Sequence, residues 1–155
     1  MTAQRELDRI DREILRKLQA DATASLAEIA DAVGLTPTPC WKRIRRLERN
    51  GVITGRVALL DPAKVGLPVS VFVAVETADH SGPWLERFAA TVSAMPEVME
   101  VWRMSGDVDY LLRVVVPDIA AYDAFYRRLI ASVPLRNVTS RFAMERVKAA
   151  TALPI

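Results

Sequence analysis

The chain has 155 residues, of which 51% are hydrophobic and 26% charged, and its net charge is only +2. This composition excludes a disordered tail, because there is enough apolar material to bury one sizeable core or two small ones. No apolar run approaches the roughly 18 residues that a membrane span needs, and the charged N-terminus differs from a secretion signal. The single cysteine, Cys40, can neither form an internal disulfide nor build a zinc site. We therefore expect a cytoplasmic protein that makes no membrane contact and binds no metal.

The first 50 residues predict three helices separated by short turns. Apolar residues recur at helical spacing over residues 8–19, which predicts the first helix. Ser25 and Glu28 have the spacing of a capping box, so the second helix begins after Ser25. Gly34 ends that helix, and Thr36 and Pro37 start the third as its N-cap and first residue. Two amphipathic helices joined by a short glycine turn are typical of a helix-turn-helix.

Positive charge is concentrated on the third predicted helix. Residues 36–49 hold five cations and one anion, a local balance of +4. A basic helix in the second position of a helix-turn-helix suits the major groove of DNA, where its cations meet phosphates. Lys42 and Arg45 could also reach guanine, and Thr38 a thymine methyl or a phosphate. On charge alone a solvated helix face is the usual interpretation of such a run, and Trp41 could instead pack against the neighbouring helix.

From Val52 onward, apolar residues recur at every second position, which is the spacing of a β-strand. Residues 53–60 predict an extended connecting strand, and residues 62–68 a turn-rich linker. Beyond them the order is strand, helix, strand, strand, helix, strand. The predicted spans are residues 69–76, 83–94, 98–104, 109–116, 118–132 and 138–147. The first of the two helices is predicted to pack through Leu85, Phe88, Ala89 and Val92, and the second through Ile119, Tyr122, Tyr126, Leu129 and Ile130. This order is the split βαβ of ferredoxin-like sandwiches. The fold class is therefore α+β, with a helix-turn-helix domain over residues 1–51, a connection over 52–67, and a βαββαβ domain over 68–155.

The predicted strands are apolar on both faces. In the first of them, valines at residues 69, 71, 73 and 75 alternate with Phe72 and Ala74. Two helices cover only one face of a four-stranded sheet, and a bare apolar face is rare on a soluble monomer. We therefore expect a second copy of the domain to cover the other face.

Enzyme chemistry is weakly represented in the sequence. The one histidine, His80, lies in a polar connection and is predicted to be an exposed loop residue. Cys40 lies on the inward stripe of the third helix with Ile44 and Leu47, which favours a packed side chain over a reactive thiol. No phosphate-binding glycine loop, CxxC or HExxH motif occurs. We expect no catalytic residues and no cofactor.

A glycine-containing turn over residues 105–110 is a second candidate site. Gly-Asp between two strands predicts a hairpin turn in the first place, with Gly106 at positive φ. The alternative is a binding site, in which backbone N–H groups hold a carboxylate while Asp107 or Asp109 holds an ammonium group. That combination matches a zwitterionic amino acid.

Five segments resemble one family of prokaryotic transcription factors. They are LDRID at residues 7–11, GLTPTPC at 34–40, RIRRLE at 43–48, SGDVDYLL at 105–112 and MERVK at 144–148. In this order they closely resemble the leucine-responsive regulator/asparagine-operon regulator (Lrp/AsnC) family, and the resemblance spans nearly the whole chain.

The resemblance implies an N-terminal helix-turn-helix that binds double-stranded DNA. It also implies a βαββαβ domain that forms dimers, tetramers or octamers and binds amino acids. The implied DNA-binding residues are Thr36, Thr38, Trp41, Lys42, Arg45 and Arg46. The implied effector-binding residues are Ser105, Gly106, Asp107, Asp109 and Tyr110. The strand before the turn carries bulky Trp102 and Met104, which could narrow or fill the effector pocket.

The sequence therefore predicts a sequence-specific transcriptional regulator that responds to an amino acid or a related small molecule. Two alternatives stay open at this stage. One is an architectural DNA-binding protein without a ligand. The other is a decarboxylase on the same scaffold, which the basic third helix argues against.

Overall fold

The computed structural model describes residues 7–155, so the first six residues of the predicted helix-turn-helix domain lie outside it. It contains five α-helices, one 3-10 turn and four strands within this range. The helices are α1 (Arg9–Ala20), α2 (Leu26–Ala32), α3 (Pro37–Arg49), α4 (Gly82–Ser93) and α5 (Ile119–Ser132). The strands are β1 (Val69–Glu76), β2 (Val98–Arg103), β3 (Tyr110–Val116) and β4 (Asn137–Phe142). The α+β fold class is confirmed.

The second and third helices begin where their capping residues predict. Ser25 accepts a hydrogen bond from the backbone N–H of Glu28, whose carboxylate accepts one from the N–H of Ser25. Asp8 and Asp11 form the same reciprocal box at the start of α1. Thr36 is the N-cap of α3, but its side chain accepts no capping hydrogen bond. Pro37, the first residue of α3, lacks an N–H and fixes φ for the helix that follows.

The helical unit has its own apolar core. Ile14, Ile29, Cys40, Ile44 and Leu47 are all buried, so the predicted inward stripe of α3 is confirmed. Each helix contributes one face, as expected for amphipathic helices that pack on one another.

The last nine residues belong to this helical unit. The chain divides into two compact units, one that ends at Ala58 and takes in Val147–Ile155, and one over Leu59–Arg146. The sequence predicts a single domain over residues 68–155, whereas Ile155 packs against the helical core. The Gln19 side chain donates to the carbonyl of Leu153 at 3.3 Å and accepts from its N–H at 2.6 Å. A glutamine on an exposed helix face gives no sequence signal of this pairing.

Residues 53–60, predicted as a connecting strand, form no strand within residues 7–155. These residues are not hydrogen-bonded to any strand within residues 7–155. Val57, Leu59 and Leu60 are exposed, Val57 to 79%. A strand exists only with a hydrogen-bonding neighbour, and alternating apolar residues do not reveal whether the chain provides one. The linker does contain a turn, Ala63–Val65, which Gly66 closes at φ +80°.

The four strands form one antiparallel sheet in the order β2-β3-β1-β4, and the predicted βαββαβ order is confirmed. One sheet face, with Val73 of β1 and Leu112 of β3, packs against Phe88 of α4 and Phe125 of α5. All four of these side chains are buried, which places the core of this unit between the sheet and its two helices.

The opposite sheet face is apolar but not uniformly so. In the strand register, Ala74 faces Leu111, and Leu111 faces Trp102, which is 59% exposed. Phe72 faces Arg113, whose Nε donates to a Glu100 oxygen at 2.9 Å. An ion pair therefore sits among the apolar side chains that the sequence predicts there.

The buried faces of α4 and α5, the two helices that cover the sheet, differ in part from the prediction. The sequence predicts Ile119 and Ile130 of α5 as inward, but both are exposed, Ile119 to 70%, and Phe125 is buried instead. On α4, Trp84 is buried in place of the predicted Leu85, because its indole N–H donates to the carbonyl of Pro134 at 3.0 Å. Tertiary contacts of this kind fix the rotation of a helix whose apolar stripe is wide.

Candidate functional site

The outward face of α3 carries most of the residues predicted to contact DNA. Thr38, Trp41, Lys42 and Arg45 are exposed on the helix, and Thr36 is exposed at its N-cap. Trp41 is 48% exposed, so it packs only in part against the neighbouring helix. Its ring lines a shallow pocket of about 260 Å³ together with Leu26 and Ile29 of α2. This face therefore combines hydroxyl, aromatic and cationic groups.

Arg45 is held along the helix surface. Its guanidinium lies 5.6 Å from the centroid of the Trp41 ring and donates to Glu48 at 3.1 Å. The other Glu48 oxygen accepts from Arg56 at 3.3 Å. All three charged groups are solvent-accessible, so these contacts are weak and easily exchanged for others.

Arg43 and Arg46 point toward α1 instead. Arg43 Nη1 lies 2.6 Å from Asp8 Oδ2 and 2.8 Å from Asp11 Oδ1, and Arg46 Nη2 lies 2.5 Å from Asp11 Oδ2. Asp11 is only 2% exposed. The hydrogen bond from Arg43 lowers the pKa of the Asp8 carboxyl below its ordinary value, and the two aspartates raise the pKa of Arg43. The sequence predicts Arg46 as a DNA contact, whereas the structure places it in this network.

The charge of α3 is therefore distributed differently from the sequence prediction. Two of its five cations are balanced by aspartates more than 30 positions earlier in the chain. Lys42 and Arg49 make no ion pair within residues 7–155. Only the fold brings Asp8 and Asp11 to α3, so counting charges along the helix misses them.

Cys40 lies in the helical core, and burial raises the pKa of its thiol. A buried thiol is a poor nucleophile, because the thiolate is the reactive form. The predicted packed side chain is confirmed.

The turn between β2 and β3 is exposed and contains the predicted glycine conformation. Gly106 has φ +115°, a region that favours glycine, and no atom lies within 4 Å of where a Cβ would stand. Ser105 and Asp107 on either side of it are exposed. Asp107 makes no side-chain hydrogen bond or ion pair within the described part of the chain. The turn thus presents open backbone and an unpartnered carboxylate to solvent.

Asp109 has a different role from Asp107. Its Oδ2 accepts from the backbone N–H of Thr77 at 2.8 Å, and its own N–H donates to the carbonyl of Val75 at 3.1 Å. Thr77 is buried just beyond β1. His80 Nδ1 lies 3.9 Å from the second Asp109 oxygen. Asp109 therefore fastens the turn to the end of β1, and its carboxylate is already engaged.

Tyr110 points away from the turn surface. It is buried against Phe88, at 4.7 Å between ring centroids, and against Trp84, at 5.9 Å. The sequence predicts Tyr110 as an effector contact, but the structure places it in the core beneath the turn. Trp102 and Met104, the bulky residues that precede the turn, are both exposed.

Residues 7–155 contain neither a metal-binding cluster nor a membrane-spanning helix. There is no group of three or more histidine, cysteine or acidic side chains that could hold a metal ion. Within the same range, no helix combines the length and the apolar character needed to cross a membrane.

A basic helix-turn-helix joined to a βαββαβ sandwich with an open glycine turn defines a class of two-domain proteins. Comparisons with known proteins identify the family. An AsnC-type helix-turn-helix domain matches residues 7–48, and an Lrp/AsnC ligand binding domain matches residues 70–153. The chain belongs to the Lrp/AsnC family.

Relatives along the full chain agree with this assignment. The DNA-binding transcriptional activator DecR of Escherichia coli K12 is 55% identical over 96% of this chain and 99% of its own length. The crystal structure of an AsnC family transcriptional regulator from Agrobacterium tumefaciens superimposes with a TM-score of 0.90 at 62% identity, covering 95% of this chain and 96% of that one.

A third relative was solved with a ligand. It is a transcriptional regulator from Neisseria meningitidis in complex with L-Met, with a TM-score of 0.90 at 32% identity. The match covers 96% of this chain and 97% of that one.

Proposed function

We propose that this protein is a sequence-specific DNA-binding transcriptional regulator that responds to an amino acid. The observation that carries the proposal is the outward face of α3, where exposed cations and an aromatic ring lie on the second helix of a helix-turn-helix. The DNA-contacting residues are Thr36, Thr38, Trp41, Lys42 and Arg45. Arg46 does not belong to this set, because Asp11 holds it against α1.

The roles within this face follow from side-chain chemistry. Arg45 and Lys42 are long enough to reach the O6 and N7 of a guanine or a phosphate. Thr36 has an exposed hydroxyl that is not used as a cap, so it can donate to a phosphate. The contacts of Arg45 with Glu48 and Trp41 are surface contacts, which DNA phosphates can replace at little cost.

The DNA test uses the full-length protein and duplexes selected from a random-sequence library. Fluorescence anisotropy gives Kd on a selected duplex and on a shuffled one, over a range of salt concentrations. We expect Lys42→Ala and Arg45→Ala each to weaken binding to the selected duplex and to reduce the salt slope by about 1. Arg127→Ala is the matched control, because it removes an exposed cation of α5 in the other unit. Equal slopes in all four proteins would refute the role of α3.

The proposed effector site is the turn at residues 105–107. Backbone N–H groups beside Gly106 hold the carboxylate of an amino acid, and Asp107 holds its ammonium group. Asp107 suits this role because it has no other partner within residues 7–155 and is exposed. The L-Met complex of the Neisseria meningitidis relative supports a ligand of this class.

Thermal unfolding with each of the twenty amino acids tests the effector site. A ligand present at 100 times its Kd adds about 2.7 kcal/mol to the stability of the state that binds it. We expect at least one amino acid to raise the Tm of the wild type and to leave that of Asp107→Ala unchanged. Glu86→Ala is the control, because it removes an exposed carboxylate of α4 away from the turn, and its Tm should rise as in the wild type. A panel in which no amino acid shifts the wild-type Tm would favour the alternative, an architectural DNA-binding protein without a ligand.

We further propose that the protein acts as a homo-oligomer, and that it has no enzymatic activity. Support for assembly comes from the sheet face opposite α4 and α5, where Trp102 and Phe72 are exposed. Large apolar side chains clustered on one face are typical of surfaces that pair with a second copy. Light scattering at micromolar concentration is expected to give a dimer or a larger assembly, and a stable monomer would contradict the proposal.

A further inference from the structure

Asp11 is a buried carboxylate that joins two helices of the DNA-binding unit. It is 2% exposed, and it accepts from Arg43 at 2.8 Å and from Arg46 at 2.5 Å. We infer that Asp11, with Asp8, withholds Arg43 and Arg46 from DNA and so fixes which cations of α3 can meet phosphate. This inference rests on the proposed DNA-binding function, and it makes Asp11 a positioning residue for that function.

Burial explains why the two arginines stay with the aspartates. A carboxylate removed from water needs charged or hydrogen-bonding partners to compensate for lost hydration. Asp11 has both arginines, and the Asp8 N–H lies 3.4 Å from its Oδ2. If Arg46 turned outward to a phosphate, one Asp11 oxygen would lose its strongest donor while still buried. The exposed pair of Arg45 with Glu48 carries no comparable penalty.

The ion pairs of α3 divide its cations into two sets. Arg43 and Arg46 reach the aspartates of α1. Lys42, Arg45 and Arg49 make no contact with those aspartates, although Arg46 lies four residues after Lys42 and three before Arg49. One set thus holds α3 in place, and the other is available to DNA.

This division limits binding that is independent of sequence. Each cation that neutralises a phosphate strengthens binding to any duplex, because counterions are released whatever the base sequence. Withholding two arginines leaves fewer phosphate contacts, so base contacts supply a larger share of the binding free energy. Releasing them should therefore strengthen binding to non-specific DNA.

The salt dependence of binding to a shuffled duplex tests this inference in the full-length protein. We expect Arg45→Ala to reduce the slope by about 1, and Arg46→Ala to leave it at the wild-type value. Asp11→Asn keeps the side-chain shape, removes the charge, and should steepen the slope by about 1 to 2. The inference is overturned if Arg46→Ala reduces the slope as much as Arg45→Ala does, or if Asp11→Asn folds and leaves the slope unchanged.

Asp8→Asn is the second variant, which decides the question if Asp11→Asn fails to fold. Asparagine is as good an N-cap as aspartate, so α1 keeps its start while Arg43 loses one of its two charged partners. A steeper slope than the wild type is expected, by at most about 1. A slope equal to that of the wild type would count against the inference.

Thermal unfolding without DNA separates this inference from the proposed function. Asp11→Ala and Arg46→Ala each remove one side of the buried pair, so the double variant should lose less in Tm than the sum of the two single losses. If the wild type fails to bind DNA yet this non-additivity is found, the proposed function is wrong while the pairing stands. Strict additivity would show that Asp11 does not hold Arg46 and would overturn the inference.

Discussion

Asp109 and Thr77 are joined by a hydrogen bond of 2.8 Å, donated by the backbone N–H of Thr77 to Oδ2 of Asp109. Thr77 is buried just beyond β1, an inner strand of the sheet, and Asp109 directly precedes β3. The bond therefore fastens the β2–β3 turn to the middle of the sheet. The two aspartates of the turn therefore differ: Asp109 has a structural role, whereas Asp107 is exposed and has no partner within residues 7–155.

Replacing Asp109 should destabilise the protein. Asp109→Ala leaves the buried N–H of Thr77 without its acceptor, which costs about 1–3 kcal/mol. Asp109→Asn keeps an oxygen at the same position and should cost less. Urea unfolding measures both, and Asp107→Ala serves as the matched control, with a change within about 0.5 kcal/mol. Equal losses for Asp107→Ala and Asp109→Ala would contradict the division of roles.

Gly106 should tolerate a side chain poorly even though the space around it is open. Its φ of +115° is unfavourable for any L side chain, so Gly106→Ala should cost about 1–3 kcal/mol. Gly55 provides the control, because it is equally unhindered but lies outside the left-handed region. Gly55→Ala should be neutral or stabilise by up to about 1 kcal/mol in urea unfolding. Similar effects at both glycines would show that φ does not limit the turn.

The Asp8–Arg43 pair should make stability depend on pH in the acid range. The pKa of Asp8 is lowered in the folded protein from its ordinary value of 3.8, mainly by the hydrogen bond from Arg43. The folded state therefore binds the proton less readily than the unfolded chain does. The stabilising contribution of the ionised Asp8 carboxylate is complete above about pH 5. It is lost as the pH falls through 3.8 toward the pKa of Asp8 in the folded protein.

Comparison with Asp8→Asn isolates this contribution, because other carboxylates with lowered pKa values, such as Asp21 and Glu28, titrate in both proteins. The wild type should have the higher Tm near pH 6, and the gap should shrink below pH 4. A gap that stays constant from pH 6 to pH 3 would mean that the ion pair does not contribute.

Local signals predicted the parts of the fold that depend on neighbouring residues. The capping box of Ser25 and Glu28, the Thr36-Pro37 start of α3 and the positive φ of Gly106 each follow from side-chain chemistry within a few positions. The order of strands and helices is predicted by the change between helical and alternating spacing of apolar residues. This spacing also depends only on neighbouring residues.

Contacts between distant residues could not be predicted in this way. Arg46 has the same local pattern as Arg45, and only the packing of α1 on α3 brings Asp11 to it. Tyr110 directly follows the turn, yet strand alternation turns its ring into the core. The sequence predicts a strand over residues 53–60, although residues 7–155 offer them no strand to pair with.

DNA affinity measured with and without the stabilising amino acid shows whether this protein is an amino-acid-responsive DNA-binding regulator. For the wild type on the selected duplex, the amino acid should change Kd by some factor, and the duplex should change the Kd of the amino acid by the same factor, because coupling is reciprocal. Asp107→Ala should keep the affinity for DNA alone and lose this response. A wild type that binds selected and shuffled duplexes equally, with no change on addition of any of the twenty amino acids, would contradict the account.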